Sequence, residues 1–326
     1  MRAQGDPEVS ILVVNWNSAG HVRKCLQSVF QQTRALRLEI VVVDSGSYDG
    51  CGEMLSREFP AVKFIQSREN VGFARANNLG AGAARAARLL LLNPDTELKE
   101  DSIGLMVRRL ETLPGAGALG CRLVNGDGSL QTSCVQAFPT VWNQLLDCEF
   151  LRRRFPGWSL WGTAPLHGTQ PARAEVVSGA CILVKREVFE QIGGFSECYF
   201  MYGEDLDLCF KIKQAGHGVY HTPETAIIHY GGGSTRQSAS DFASVMTRES
   251  VYRFLRRHRG PASAMGYRLA MAGASVARMV LLLPMLLVAR QSRRCTWEKW
   301  LAILRWSLGF KRMTAHAPGE GKSCAA

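Results

Sequence analysis

The feature that most limits how this chain can fold is a fourfold alternation in its first hundred residues. Apolar, largely β-branched or leucine-rich runs at 10–14, 39–43, 62–65 and 89–92 are separated by stretches of helical spacing at 22–30, 51–59 and 73–88. Short strands separated by helical patterns predict βαβ units, and hence a parallel sheet covered on both faces. In such sheets ligands bind beyond the carboxyl ends of the strands. The polar clusters Asn15-Trp16-Asn17-Ser18, Asp44 to Asp49 and Asn93-Pro94-Asp95 fall at those ends. They are therefore the first candidates for a site.

Further on the pattern changes. Residues 117–124 and 129–133 flank Asn125-Gly126-Asp127-Gly128, a hairpin signal. The stretch 138–171, rich in Pro, Trp and Gly, predicts a long ordered loop or lid. Residues 176–184 read as one strand leading into a helix at 186–192, which ends at Gly193-Gly194. A helix at 204–215 closed by Gly216 and short strands at 219–220 and 226–229 complete an α/β domain over 1–240 with a mixed sheet.

Composition matters most for the rest, residues 241–326. The chain has 326 residues, 46% hydrophobic and 21% charged, the profile of an ordered globular protein. Its formal charge of +11 is unevenly placed, since residues 248–312 hold fourteen Arg and Lys against two acids. A nucleic-acid binder would spread such charge over its folded domain and carry a recognition motif, and none is present. Residues 269–289 are almost wholly apolar, interrupted by Arg278 and expected to kink at Pro284. That length is borderline for a spanning helix, and a central arginine counts against a simple span. Basic flanks favour anionic headgroups, and Trp297, Trp300, Leu301, Leu304 and Leu308 recur at interfacial-helix spacing. The alternative is a helix pair packed on the first domain. Ten scattered cysteines without zinc spacing, and a short polar start without a signal-peptide core, predict a reducing, cytoplasmic setting.

Several residues carry candidate chemistry. Asp44 can accept a hydrogen bond from the N3–H of uracil or thymine, or serve the turn; Asp49 reads as a helix cap. Asn70-Val71-Gly72-Phe73-Ala74-Arg75-Ala76-Asn77-Asn78 joins the third strand to a helix. It offers a glycine for close backbone approach, and Arg75 and two asparagines on the first turns, which suits a phosphate. It is neither GxGxxG nor a GK[ST] loop. Asp95 follows four leucines, where a carboxylate is unfavourable unless paired or bound to a cation. Mg2+ or Mn2+ held by one or two carboxylates plus substrate phosphates fits, and a turn cap is the alternative. Glu204-Asp205-Leu206-Asp207 crowds three acids at a helix start, where mutual repulsion raises at least one pKa and prepares a general base. Asp205 is expected to face the domain above Leu208 and Ile212, and Asp207 to be solvated. His229 precedes Gly231-Gly232-Gly233-Ser234; it is either structural or completes a metal site beneath a mobile loop.

Taken together, Val13-Val14-Asn15-Trp16-Asn17, Val43-Asp44-Ser45-Gly46-Ser47-Tyr48-Asp49-Gly50, the Asn70 segment, Leu92-Asn93-Pro94-Asp95-Thr96-Glu97 and Phe200-Met201-Tyr202-Gly203-Glu204-Asp205-Leu206-Asp207-Leu208 resemble the GT-A glycosyltransferases of family 2. The bacterial rhamnosyltransferase-like branch is the most similar, over about residues 8 to 235. The resemblance implies an inverting transfer from a dTDP- or UDP-sugar, rhamnose from dTDP-rhamnose being the example. The acceptor would be a glycan or lipid-linked acceptor in cell-surface polysaccharide synthesis, at the cytoplasmic face of the membrane. It implies that Asp44 binds the pyrimidine, with Asn15, Asn70, Gly72, Arg75, Asn78 and Asn93 in the nucleotide-sugar site. Asp95 would hold Mg2+ or Mn2+, and His229 would be a further metal or phosphate contact. Asp205, supported by Glu204, would deprotonate the acceptor hydroxyl, and Ser178, Gly179 and Ala180 would line the acceptor side. Two positions depart from the family: Ser45 replaces its usual asparagine, and Asn93 replaces the first acid of its DxD motif. Two rivals are a sugar-phosphate nucleotidyltransferase, which would not need the Glu204-Asp205 pair, and a non-catalytic membrane-bound scaffold, which should tolerate loss of Asp44, Asp95 and Asp205.

Overall fold

The structure, a computed structural model, describes residues 5–146, 154, 168–231, 240–286 and 291–310. Much of the expected lid at 138–171, and the glycines at 232 and 233, lie outside the described residues. Two compact units emerge. One comprises residues 1–138, 163–200 and 204–234, the other 139–162, 201–203 and 235–326.

The first unit opens with β1 (Val9–Asn15), α1 (Ala19–Gln32), β2 (Leu38–Ser45), α2 (Cys51–Glu58), β3 (Lys63–Ser67), α3 (Gly72–Ala83) and β4 (Arg88–Leu92). Next come β5 (Thr96–Leu98), α4 (Ser102–Thr112), β6 (Ala116–Val124) and β7 (Val135–Gln136). After α5 (Val141–Leu145), which belongs to the second unit, follow β8 (Ala172–Arg173), β9 (Val176–Val177), β10 (Cys181–Lys185), α6 (Arg186–Gln191), α7 (Glu204–Gln214) and β11 (Gly218–His229).

The main sheet has the order β3-β2-β1-β4-β10-β6-β11-β5, with β8 also on β11. The first four strands are parallel. β10 runs antiparallel to both neighbours, which makes the sheet mixed. Every residue of β1 is buried, as a continuous apolar run requires of a central strand. α3 owes its alanine-rich sequence to close packing: a Cβ on Gly80 would lie 3.4 Å from Val43 and 3.5 Å from Leu12.

Four local expectations change. The charged sequence after Asp95 hides β5 and α4, although Ile103, Met106, Val107 and Leu110 of α4 are buried at helical spacing and Asp101 caps it by accepting from Gly104 N at 3.0 Å. The apolar run 176–184 is two strands, because residues 178–180 turn between β9 and β10. The two short strands near the end are one, β11, whose irregular register between Thr222 and Ala226 obscures the alternation. The second hairpin arm reduces to a bridge between Val124 and Leu130, followed by a 3-10 turn at Thr132–Cys134.

The second unit packs α8 (Ser240–Arg259), α9 (Pro261–Leu286) and α10 (Gln291–Ser307) together, with α5 on α9. Phe254, Leu255, Tyr267, Met271, Ile303 and Trp306 form its interior. The Arg268 guanidinium lies over the rings of Tyr252 and Trp306, 5.6 Å from each centroid. It also donates to the carbonyls of Trp306 and Ser307, satisfying the end of α10. α9 continues through Pro284, the expected kink position, to Leu286.

Candidate active site

Parallel register puts Asn15 beside Asp44 at the carboxyl ends of β1 and β2. Asp44 is 1% exposed and accepts from four donors: Asn15 Nδ2 (2.6 Å), Ser47 Oγ (2.6 Å), Ser47 N (2.8 Å) and Gln66 Nε2 (2.9 Å). Burial opposes its charge, but these donors outweigh it and hold the carboxyl below its ordinary value. Asp49 precedes the N-cap position of α2, Gly50, and accepts from the first backbone N–H of two helices, Ala19 N of α1 at 2.7 Å and Cys51 N of α2 at 3.3 Å. Asp44, Asp49 and Cys51 bring potential ligand atoms within 4.8 Å of one another. Asn15 Nδ2 joins the two carboxylates, donating to Asp44 at 2.6 Å and to Asp49 at 3.1 Å, while burial and the nearby acids push the Cys51 thiol up to about 12. The cluster is a hydrogen-bonded network.

The segment expected to meet phosphate divides in two. Asn70 faces the strand ends, accepting from Ser45 Oγ at 3.1 Å and from Gly72 N at 3.0 Å. Ser45 Oγ in turn accepts from Val71 N at 3.0 Å, so the smaller residue at 45 still anchors this turn. Gly72 has φ +78°, and a Cβ there would stand 2.6 Å from the Phe200 carbonyl. The close approach that demands glycine is thus to the chain at Phe200, whose carbonyl also accepts from Phe73 N at 3.1 Å. Asn78 spends both ends of its amide on the Phe195 backbone, at 2.9 Å each. Arg75 is exposed, and among the described residues it has no ion pair.

Asn93, Asp95 and His229 meet at the ends of β4, β5 and β11. β11 pairs with β5 so that His229 opposes Thr96, and Tyr230 N donates to the Asp95 carbonyl at 2.9 Å. His229 Nε2 lies 3.4 Å from Asp95 Oδ1 and 3.3 Å from Asn93 Nδ2. Gln131, which sequence reasoning missed, orients the ring. Its Nε2 donates to the His229 carbonyl (2.6 Å) and to Asn125 Oδ1 (2.8 Å), which leaves Oε1, 3.0 Å from His229 Nδ1, to accept. Nδ1 therefore carries a hydrogen, and Nε2 faces Asp95 and Asn93. The only sequence hint was the place of Gln131 just after the Asn125-Gly126-Asp127-Gly128 turn.

Residues 178–180 cross the same end of the sheet. Asn93 N donates to the Ala180 carbonyl at 3.0 Å, and Gly179 N donates to Asp205 Oδ2 at 3.0 Å. Ser178 keeps its hydroxyl within the turn, accepting from Ala180 N at 3.3 Å. Asp205, at the start of α7, remains partly exposed, and its other oxygen accepts from Leu206 N at 2.9 Å. Burial raises its pKa despite those two donors. Beside it, Glu204 is 8% exposed with Oε2 unpaired; burial and the Asp205 charge push its carboxyl up to about 8. Asp207 is not solvated as expected. It is fully buried, accepts from Ser196 Oγ at 2.5 Å and lies 3.8 Å from Lys211. The ends of the strands thus assemble an oriented imidazole with a carboxylate, and a raised-pKa acid pair, on either side of one backbone turn.

The chain matches the glycosyl transferase family 2 over residues 10–193. It is 30% identical over 268 residues to an N-acetylglucosaminyl-diphospho-decaprenol L-rhamnosyltransferase of Mycobacterium tuberculosis, covering 77% of this chain and 85% of that one. A rhamnosyltransferase of Escherichia coli is 22% identical over 260 residues, covering 77% and 94%. Among solved structures, a mannosyltransferase from Pyrobaculum calidifontis in complex with GDP-Man and Mn2+ superposes with a TM-score of 0.55 at 18% identity, over 94% of this chain and 87% of that one. GalNAc-T7 with UDP, GalNAc and Mn2+ gives 0.56 at 18% identity, over 79% and 52%. The mixed sheet, its polar strand ends and these likenesses lead to one conclusion: the chain belongs to glycosyl transferase family 2 and is a glycosyltransferase of the GT-A fold.

Proposed function

We propose that this enzyme moves rhamnose from dTDP-rhamnose, with inversion, onto a lipid-linked glycan at the cytoplasmic face of the membrane. Residues 1–240 would be catalytic, and 241–326 would hold the enzyme at the anionic surface. The observation that carries the mechanism is Asp205, fixed by Gly179 N–H beside buried Glu204, whose Oε2 is unpaired. A carboxylate with a raised pKa takes a proton near working pH. As the acceptor oxygen bonds to the anomeric carbon, its proton passes to Asp205, and the bond from that carbon to the nucleoside diphosphate breaks. Glu204, uncharged over much of the neutral range, keeps the pair from carrying two buried charges.

On the donor side, Asp44 and Asn15 stand where a pyrimidine would lie. Contact with its N3–H requires one of the four donors on Asp44 to give way, and the side chains of Ser47 and Gln66 are the ones able to rotate. Asn70 and the exposed Arg75 would meet the phosphates. Asp95 and His229, with Asn93 beside them, offer an oxygen and nitrogen donor set suited to Mg2+ or Mn2+ shared with substrate phosphates. An ion bound there would supply charge stabilisation for the departing diphosphate. The rhamnosyl and polyprenol-linked chemistry follows the names of the relatives from Mycobacterium tuberculosis and Escherichia coli. With the family established, neither a nucleotidyltransferase nor a scaffold is favoured.

The test is release of nucleoside diphosphate from a panel of dTDP-, UDP- and GDP-sugars with a polyprenyl-diphosphate glycan acceptor and Mg2+ or Mn2+. Metal-dependent turnover of dTDP-rhamnose, lost in Asp95→Ala and Asp205→Asn, is expected. Turnover of a different donor would overturn the choice of sugar. Full activity in Asp205→Asn would overturn the base.

A further inference from the structure

The long apolar helix of the second unit has two unlike faces. One is buried within the bundle: Ala264, Tyr267, Met271 and Ser275 of α9 are each no more than 1% exposed. On the same side Arg278 lies over the Trp300 ring, 4.2 Å from its centroid, and donates to the Leu145 carbonyl at 3.4 Å. The other face is apolar and open. Met265, Leu269, Val276, Val280 and Leu283 are all about half exposed or more, at steps of four, seven, four and three residues that keep them on one stripe. Leu281, 71% exposed, stands beside it. From Met265 to Leu283 the stripe runs about 27 Å.

We propose that α9 lies along a bilayer instead of crossing it, and that this stripe is the docking face for an anionic lipid leaflet. The inference rests on the membrane reading above and specifies its geometry. By length and composition α9 could span, with a mean hydropathy of 1.3 over Pro261–Leu283. A spanning helix, however, would present Arg278 at depth and strip Tyr267, Met271 and Arg268 from the bundle that holds them. Lying flat leaves every one of those contacts intact and buries only the open stripe.

Charge selects the occupant. Arg256, Arg257 and Arg259 are exposed in the last turn of α8, immediately before α9. The sequence places Arg290, Arg293 and Arg294 just beyond its other end. Of the two acids within 248–312, Glu249 is already engaged by Arg253 and Trp306, and exposed Glu298 alone leaves the balance strongly positive. Exposed cations beside an apolar stripe favour headgroup phosphates, and each adds affinity that salt weakens. Trp142, 73% exposed on α5 packed against α9, adds an aromatic of the kind enriched at that boundary.

The test is co-sedimentation of the full chain with phosphatidylcholine vesicles, with and without phosphatidylglycerol, together with alkaline carbonate extraction of native membranes. Binding to the anionic vesicles, release by carbonate, and a loss of about tenfold or more in partitioning for Leu269→Glu or Val280→Glu are expected. Both side chains are exposed, so each variant should keep its far-UV circular dichroism and its donor hydrolysis. Carbonate-resistant recovery would overturn the flat geometry while leaving membrane association standing. Absence from membranes and vesicles alike would remove both. A lipid-free dimer split by Leu269→Glu would reassign the stripe to a second copy of the chain.

Discussion

Replacing Glu204 by glutamine should stabilise the protein, and only above the ordinary carboxylate range. Its carboxyl is 8% exposed, one oxygen is unpaired, and burial with the Asp205 charge raises its pKa from 4.5 to about 8. In the unfolded chain it ionises near its ordinary value. Between about pH 4.5 and 8 the folded state therefore holds a proton that the unfolded state has released, and stability falls as pH rises through that window. The difference corresponds to at most about 5 kcal/mol, an upper bound because Asp205 shares the titration. Glutamine keeps the shape without the charge. Thermal unfolding of Glu204→Gln and the wild type should coincide near pH 4.5 and diverge steadily toward pH 8, the variant melting several degrees higher. A difference that does not change with pH, or a variant less stable at pH 8, would refute the claim that a buried charge is being suppressed here.

Three further outcomes follow from the same geometry. Asp205→Asn should lower kcat by about 10²–10⁴-fold with little change in donor affinity by calorimetry, and wild-type transfer should rise with pH above the usual carboxylate range because both acids are shifted up. Gln131→Ala releases the His229 ring and should weaken Mn2+ binding about 10–100-fold by calorimetry; unchanged affinity would mean that another group orients the imidazole. Asn78→Ala should cost roughly 1–3 kcal/mol in denaturant unfolding, since it orphans the Phe195 backbone groups, and should leave the KM for donor unchanged; a raised KM would return Asn78 to the donor site.

Much of the first unit was legible because its signals are local. The alternation of β1 to β4 with α1 to α3 is written in apolar periods of two and of three to four residues, and the strand ends carry the polar Asn15, Asp44 and Asp95. The acids of α7 announced themselves as neighbours in sequence. Another feature misled for an equally physical reason. Asp207 looked like a solvated helix-start acid, but Ser196 and Lys211 take it into the interior. At Gly72 the structure adds a reason for glycine that the sequence did not show, since its missing Cβ makes room for Phe200.

What the chain determined by itself was the kind of sheet, the edge of it that bears chemistry, and the acids available there. Only the tertiary structure decided which partners those groups have. Gln131 meets His229 across 98 residues, and Asn78 meets Phe195 across 117. Pairings at such separations leave no local period to read. They arise when β11 closes beside β5 and the chain at Phe195 folds back over α3, so the environment that orients an imidazole or raises a carboxyl pKa exists only once those distant segments are packed together.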